Sequence, residues 1–175
     1  EGYCLDDNAR ALLAALAIYT RTKDPVILEL IPVYFSYIHY MQTADGRFRN
    51  FLSFDRKFLD KEGSEDSFGR AIWALGYLIK YSPNDAYHQL ALEIFEKAYP
   101  NFEKLSSLRG IANTLIGLSH YINQYESDER AIQLMEVMRM KLVNQYLSNS
   151  DENWQWFEDV LTYDNAVVPL ALYHS

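Results

Sequence analysis

Apolar residues recur at spacings of three and four along most of the chain, and this periodicity predicts about seven helices. Breakers and capping residues such as Asp24 and Pro100 mark where helices begin and end. We expect six helices at about residues 7–21, 24–42, 66–81, 86–99, 107–121 and 128–146, and a seventh beginning near Asp159 or Asp164. Segment 46–58 is rich in aromatic and basic residues and too irregular for a helix, so we predict an extended segment or small hairpin there.

A polar or acidic cluster stands directly before an Ala- and Leu-rich helical run four times, which makes a degenerate internal repeat. Odd-numbered helices are rich in small residues such as Ala14 and Gly76, whereas even-numbered helices carry longer and more charged side chains. Small side chains allow close backbone approach, which suits an inner layer of helices. We therefore predict an all-α fold, an α/α toroid of repeated helical hairpins forming an incomplete ring. An open helical solenoid is the alternative.

The length of 175 residues and the apolar content of 49% fit a single domain over residues 1–175. The chain starts at Glu1 without Met and stops at Ser175 inside an apolar run, so we expect it to be a piece of a longer protein. No uncharged apolar run of about 18 residues occurs, and no secretory pattern is present. We therefore expect no membrane partner and a cytoplasmic location.

The net charge of −8 and the lack of a basic stripe argue against nucleic acid as a partner, because a phosphate backbone must be met by clustered Lys and Arg. Cys4 is the only cysteine, which excludes an internal disulfide and a metal site built on several thiolates. The four histidines show no metal-binding spacing, and no Gly-rich phosphate loop is present. We therefore expect neither a metal nor another cofactor.

Four blocks of the chain, residues 3–12, 46–56, 63–76 and 154–172, include the motifs Asp6-Asp7 and Glu65-Asp66. Together these blocks resemble a group of bacterial six-hairpin proteins of the α/α-toroid type, which are associated with glycosyltransferases and polysaccharide processing. The resemblance implies a toroid related in shape to glycoside hydrolases and sugar epimerases. It also implies an oligosaccharide or polysaccharide as the partner.

The acidic pairs are the best catalytic candidates, because they lie where inner helices are expected to begin. Two carboxylates about 5–10 Å apart can act as acid and base, or as acid and nucleophile, in cleaving a glycosidic bond. Asp66 and Glu158 are our first choices, and the further candidates are Glu65, Asp159 and Asp7. The alternative is helix capping alone, since acidic side chains favour the first turn of any helix.

Arginines and aromatic residues near these acids supply the candidates for substrate binding. Arg10 and Arg70 follow Asp6 and Asp66 by four residues, a spacing typical of ion pairs on a helix surface. An arginine at the mouth of a ring can instead bind a carboxylate or sugar hydroxyls, and aromatic rings in loops suit sugar rings as well as core packing. The candidates are Tyr3, Asp6, Arg10, Phe48, Asn50, Arg70, Arg109, Trp154, Trp156, Tyr163, Asp164 and Asn165.

We interpret the chain as a carbohydrate-active, glycosidase-like domain that hydrolyses or binds an oligosaccharide at the N-terminal ends of its inner helices. One alternative is a non-catalytic glycan-binding or accessory domain of a glycosyltransferase system. Another is a helical-repeat scaffold that binds protein on its concave face, which predicts an open arc and an exposed apolar patch in place of a polar pocket.

Overall fold

Seven α-helices and a small two-stranded sheet make up the computed structural model, which describes residues 2–175. The all-α fold with a small hairpin insertion is confirmed, whereas closure of the helices into a toroid stays a prediction. Glu1, the first residue of the predicted domain, lies outside the described residues. The helices are α1 (Leu5–Thr22), α2 (Pro25–Met41), α3 (Glu65–Lys80), α4 (Asp85–Ala98), α5 (Leu108–Ile122), α6 (Glu129–Asn149) and α7 (Val167–His174), and a 3₁₀ helix (Tyr99–Lys104) follows α4.

The odd-numbered helices form an inner row, and each even-numbered helix packs on the inner helix that precedes it. Along the row, α3 contacts α1 and α5, and α5 contacts α7. Helix α2 packs on α1, α4 on α3 and α6 on α5. Helix α5 is buried at every residue from Arg109 to Tyr121. The small residues of the odd-numbered helices therefore serve close packing of helices, as the sequence pattern indicated.

Helices α3 and α5 approach each other more closely than helices with side chains at the contact could. A Cβ atom on Gly76 would lie 2.1 Å from the Gly117 carbonyl oxygen, and one on Gly69 would lie 2.6 Å from the Gly110 carbonyl oxygen. Both glycine pairs match the two helices in the same register, so α3 and α5 run parallel. Their first turns consequently lie side by side at one end of the inner row.

Serine side chains cap these two first turns. Ser64 Oγ accepts a hydrogen bond from the Ser67 amide, and Ser107 Oγ accepts one from the Gly110 amide, both at 3.2 Å. A cap of this kind is typically worth about 1 kcal/mol. The polar clusters before α3 and α5 are thus helix starts, as the sequence pattern predicted.

Strands β1 (Gly2–Cys4) and β2 (Phe51–Ser53) pair in an antiparallel sheet that holds the start of α1. The Leu5 amide donates to the Asn50 carbonyl at 2.8 Å and continues the pairing into the helix. Leu52 also bridges Phe58 across a turn, which accounts for the predicted hairpin. The pairing with β1 was not predicted, because three residues before a helix carry no strand pattern of their own.

The seventh helix begins at Val167, shortly after the predicted start near Asp164 and well after the alternative start near Asp159. The Asn165 side chain accepts from the Thr162 amide at 3.1 Å and donates to the Thr162 carbonyl at 2.9 Å, which closes a turn before the helix. Asp164 has a φ of 50°, and this left-handed conformation does not continue into a right-handed helix.

His120 is buried near the C-terminal end of α5. Its ring centroid lies 5.1 Å from that of Tyr77 and 5.8 Å from that of His174. Burial lowers the pKa of His120 to about 4, and the nearby Lys80 and His174 act in the same direction. The folded protein therefore keeps this imidazole neutral in a pH range where the unfolded chain would protonate it.

Replacing Gly76 by Ala should destabilise the fold by about 1–3 kcal/mol, because the new methyl group would force the α3 and α5 backbones apart. Without this contact, Ala would instead stabilise a helix by roughly 0.5–1 kcal/mol. The sign of the change, measured by urea unfolding, therefore tests the contact. A G76A variant more stable than the wild type would rule out close packing at this point.

The free energy of unfolding should fall as the pH drops from 6.5 towards about 4, because the unfolded chain binds a proton at His120 before the folded protein does. The loss is at most about 3 kcal/mol. A His120→Gln variant should flatten this dependence in urea unfolding across that range, whereas His39→Gln, at an exposed position on α2, should not. Equal pH dependence in the wild type and H120Q would contradict the assignment.

Candidate functional site

A cleft of about 220 Å³, which we call the mouth cleft, lies at the N-terminal ends of α1 and α3. Asp6 and Asp66 come from the first turns of these helices. The wall is completed from the loop before β2 and from the loop before α7. The predicted site residues that line the cleft are Asp6, Arg10, Asn50, Asp66, Arg70 and Tyr163.

Arg70 of α3 lines the mouth cleft and forms ion pairs with α1 and with the loop before α7. Its side chain is only 9% exposed, and its Nε donates to Asp6 Oδ1 at 2.5 Å. Its Nη2 donates to Asp164 in the loop before α7. The sequence spacing suggested a surface pair with Asp66, but the buried Arg70 instead ties α1 and the α7 loop to α3.

Asp6 is held between two arginines. Besides Arg70, it pairs with Arg10 at 3.0 Å, the helix-surface pair that the spacing of four predicted. Burial raises the pKa of Asp6, while the positive charges of Arg70 and Arg10 oppose that rise. The negative charges of Asp7 and Asp66 add to the rise.

Glu65 and Asp66 both bind the residues before α5. The Glu65 carboxylate accepts the Ser106 amide at 2.7 Å and also accepts the Ser107 amide. Asp66 accepts a hydrogen bond from the Ser107 hydroxyl. Glu65 therefore closes the start of α5, whereas Asp66 is oriented by Ser107 at the wall of the mouth cleft.

Arg109 holds the loop before α7 against α5. Its guanidinium makes two parallel hydrogen bonds to the Glu158 carboxylate, both at 2.6 Å. It also donates to the Tyr163 carbonyl at 2.9 Å and to Thr162 Oγ1 at 2.6 Å. The Arg109 hydrogen bonds lower the pKa of Glu158. Glu158 thus stays ionised in the fold, and it does not line the mouth cleft.

Several other predicted residues lie outside the mouth cleft. Asp7 and Asp159 are exposed to solvent. Phe48 is only 1% exposed, and its ring packs edge-on against Phe68, so it belongs to the core. Large aromatic residues in loops need a burial partner, and Phe48 finds one in Phe68.

Trp154, Trp156 and Asn165 line a separate, mostly apolar cavity of about 480 Å³ beside the α7 loop. Trp154 Nε1 donates to the Glu158 carbonyl at 2.7 Å. Tyr3 lies on β1, and its ring packs against Phe54 with centroids 5.4 Å apart. These aromatic residues support the loop and the sheet that flank the cleft.

Sequence reasoning missed Cys4, Ser64 and Ser67, which also line the mouth cleft. Cys4 Sγ lies 3.4 Å from Asn50 Oδ1, across the β1–β2 pair. Each of the three residues stands next to a helix start that the sequence pattern had marked. Their position just before or inside the first turn of a helix was therefore the sequence signal that could have identified them as cleft residues.

The described residues, 2–175, contain no group of three or more His, Cys, Asp and Glu side chains placed to hold a metal ion. Within the same range, no helix is long and apolar enough to cross a membrane. Comparison of the chain with protein-family models and with curated proteins gives no match.

Replacing Arg109 by Lys should lower the free energy of unfolding by about 1–3 kcal/mol, because an ammonium cannot reproduce the two parallel bonds to Glu158. Proteolysis within residues 158–165 should also become faster than in the wild type. Arg139→Lys is the matched control, because Arg139 makes an exposed pair with Glu136 that is worth at most about 1 kcal/mol. Equal effects of R109K and R139K would show that Arg109 does not hold the loop.

Proposed function

We propose that the mouth cleft binds an oligosaccharide and that Asp66 and Asp6 form the carboxylate pair for hydrolysis of a glycosidic bond. The observation that carries the proposal is the meeting of these carboxylates, from two different helices, in one cleft. Arginine, amide and aromatic groups share the cleft with them. Such a mixture of donors, acceptors and a ring face suits a sugar with many hydroxyls.

The two carboxylates differ in a way that suits acid and base roles. The Ser107 hydroxyl donates to Asp66 Oδ1 and orients this carboxylate for the role of base or nucleophile. Burial raises the pKa of Asp6, which favours the protonated form that a general acid needs. In this proposal Asp6 protonates the leaving oxygen, and Asp66 activates water or attacks the sugar carbon.

Tyr163 supplies an aromatic wall for the proposed sugar. Tyr163 is 56% exposed, and the Arg109 guanidinium lies 4.9 Å from its ring centroid. Arg109 also donates to the Tyr163 carbonyl, so it contacts both the backbone and the ring of this residue. Asn50 and Arg10, which also line the cleft, can donate hydrogen bonds to sugar hydroxyls.

Glu158 is left out of the proposed pair, although the sequence made it a first choice together with Asp66. Hydrogen bonds from Arg109 lower the pKa of Glu158 and disfavour its protonated form, whereas burial raises the pKa of Asp6. A general acid must give up a proton near the working pH. Glu158 is better explained as the anchor of the loop that carries Tyr163.

A non-catalytic glycan-binding domain is the second candidate. Both oxygens of Asp6 already bind arginines, Oδ1 to Arg70 and Oδ2 to Arg10. A carboxylate committed to two cations can shape a binding site without transferring a proton. The two candidates therefore share the cleft and differ only in the role of the carboxylates.

Binding can be tested through Cys4, the only cysteine of the chain, which lines the mouth cleft. A glycan that occupies the cleft should slow alkylation of Cys4 by a thiol reagent in a saturable way. We would screen neutral oligosaccharides of glucose, galactose, mannose and N-acetylglucosamine. Rates of Cys4 alkylation that no glycan changes would count against binding in the cleft. The protein-binding scaffold would then be the better hypothesis.

Catalysis can be tested with Asp66→Asn, which keeps the shape of the side chain but removes the carboxylate. Product release from the protecting oligosaccharide should fall by about 10²–10⁴-fold in D66N. Asp7→Asn is the matched control and should keep the wild-type rate, because Asp7 is exposed outside the cleft. Protection of Cys4 without product release by the wild type would favour the binding domain over the hydrolase.

A further inference from the structure

A second cavity of about 230 Å³, which we call the side pocket, lies next to the mouth cleft. Ser64, the capping residue of α3, lines both cavities. Glu65, the next residue, lines the side pocket, whereas Asp66 lines the mouth cleft. The two cavities are therefore neighbours along the first turn of α3.

The side pocket joins apolar groups to polar ones. Phe48, Phe68 and Leu105 line it, and each is at most 6% exposed, so they present small apolar surfaces from the core. Lys104 is exposed at its rim and makes only a long contact of 3.5 Å with the buried Asn101. A sugar ring has the matching chemistry, because its C–H face suits aromatic groups and its hydroxyls accept hydrogen bonds from an ammonium.

The sizes of the cavities favour a ligand that fills both. Each is smaller than about 300 Å³, the lower end of the usual range for small-molecule sites, and the two together exceed that value. A single sugar would therefore use only part of the available surface. A ligand of two or more sugars would extend across Ser64.

The charges that line the two cavities balance. The mouth cleft has two acidic and two basic side chains, Asp6, Asp66, Arg10 and Arg70. The side pocket likewise has Glu62, Glu65, Arg47 and Lys104. Arg47 is neutralised by Glu62, with Nη1 to Oε1 at 2.5 Å. With no excess of positive charge, neither cavity favours an acidic sugar over a neutral one.

We propose that the mouth cleft and the side pocket are consecutive subsites for a neutral glycan, with one sugar on each side of Ser64. This inference rests on the proposed carbohydrate function and adds the length and charge class of the ligand. The side pocket then selects chains over monosaccharides, and Lys104 donates to a hydroxyl of the second sugar.

The test is affinity as a function of chain length, measured through protection of Cys4 and by calorimetry. The probes are glucose, galactose, mannose and N-acetylglucosamine, each as monosaccharide and as longer neutral oligomers, together with galacturonic acid oligomers of equal length. In the series that binds best, the disaccharide should bind about tenfold or more tighter than the monosaccharide, the equivalent of one charged hydrogen bond.

Lys104→Ala should remove most of this gain from chain length and leave the affinity for the monosaccharide unchanged. Lys97→Ala, at an exposed position on α4 that lines neither cavity, should change neither value. Affinity independent of length, or a length gain kept in K104A, would overturn the second subsite. Tighter binding of galacturonic acid oligomers would overturn the assignment to neutral glycans.

Failure of this inference can be told apart from failure of the proposed function. If monosaccharides protect Cys4 but longer chains bind no better, the mouth cleft binds sugar and only the side pocket is misassigned. If no sugar of any length protects Cys4, the carbohydrate function itself is contradicted.

Discussion

The backbones of α3 and α5 meet where Gly69 and Gly76 face Gly110 and Gly117, and the rest of the structure depends on this contact. Because no side chain separates the helices at these glycines, backbone atoms pack directly against each other and fix the position of one helix along the other. Parallel helices in register bring their capped N-terminal ends to one place. The polar residues at the starts of the two helices are consequently neighbours in space. Glu65 of α3 can therefore accept a hydrogen bond from the Ser106 amide just before α5.

Two buried arginines then fasten the loop before α7 to this framework. Arg70 reaches Asp164, and Arg109 reaches Glu158 and the backbone of Tyr163. Burying a guanidinium is costly unless its donors are satisfied, and the fork geometry of Arg allows several acceptors to share one charge. The result is a cleft whose walls come from separate parts of the chain and are held in place by paired charges. A site of this kind can be ordered before its ligand binds.

Much of the fold could be predicted from the sequence, because helical periodicity and capping residues act locally. Six helices lie close to the expected positions, and the predicted polar clusters before α3 and α5 contain the capping residues Ser64 and Ser107. The exact start of α7 could not be predicted from periodicity and capping residues, since the left-handed conformation of Asp164 comes from its surroundings. The β1 strand also depends on a partner almost fifty residues away.

The sequence predicted many of the residues that line the candidate site, but not which acidic side chains its arginines bind. Six predicted residues line the mouth cleft, yet a spacing of four suggested that Arg70 would bind Asp66, and it binds Asp6 and Asp164 instead. Phe48 looked like a ligand-facing ring and is a core residue. Which of several nearby acids an arginine chooses depends on tertiary distances, and one sequence does not contain them.

The most direct measurement is a crystal structure of the chain with a neutral oligosaccharide soaked at saturating concentration. We expect sugar density beside Asp66 and Tyr163 in the mouth cleft, continuing past Ser64 towards Lys104. Density restricted to other surfaces, or a cleft that binds nothing while the protein remains intact, would contradict the assignment of this helix end as a carbohydrate site.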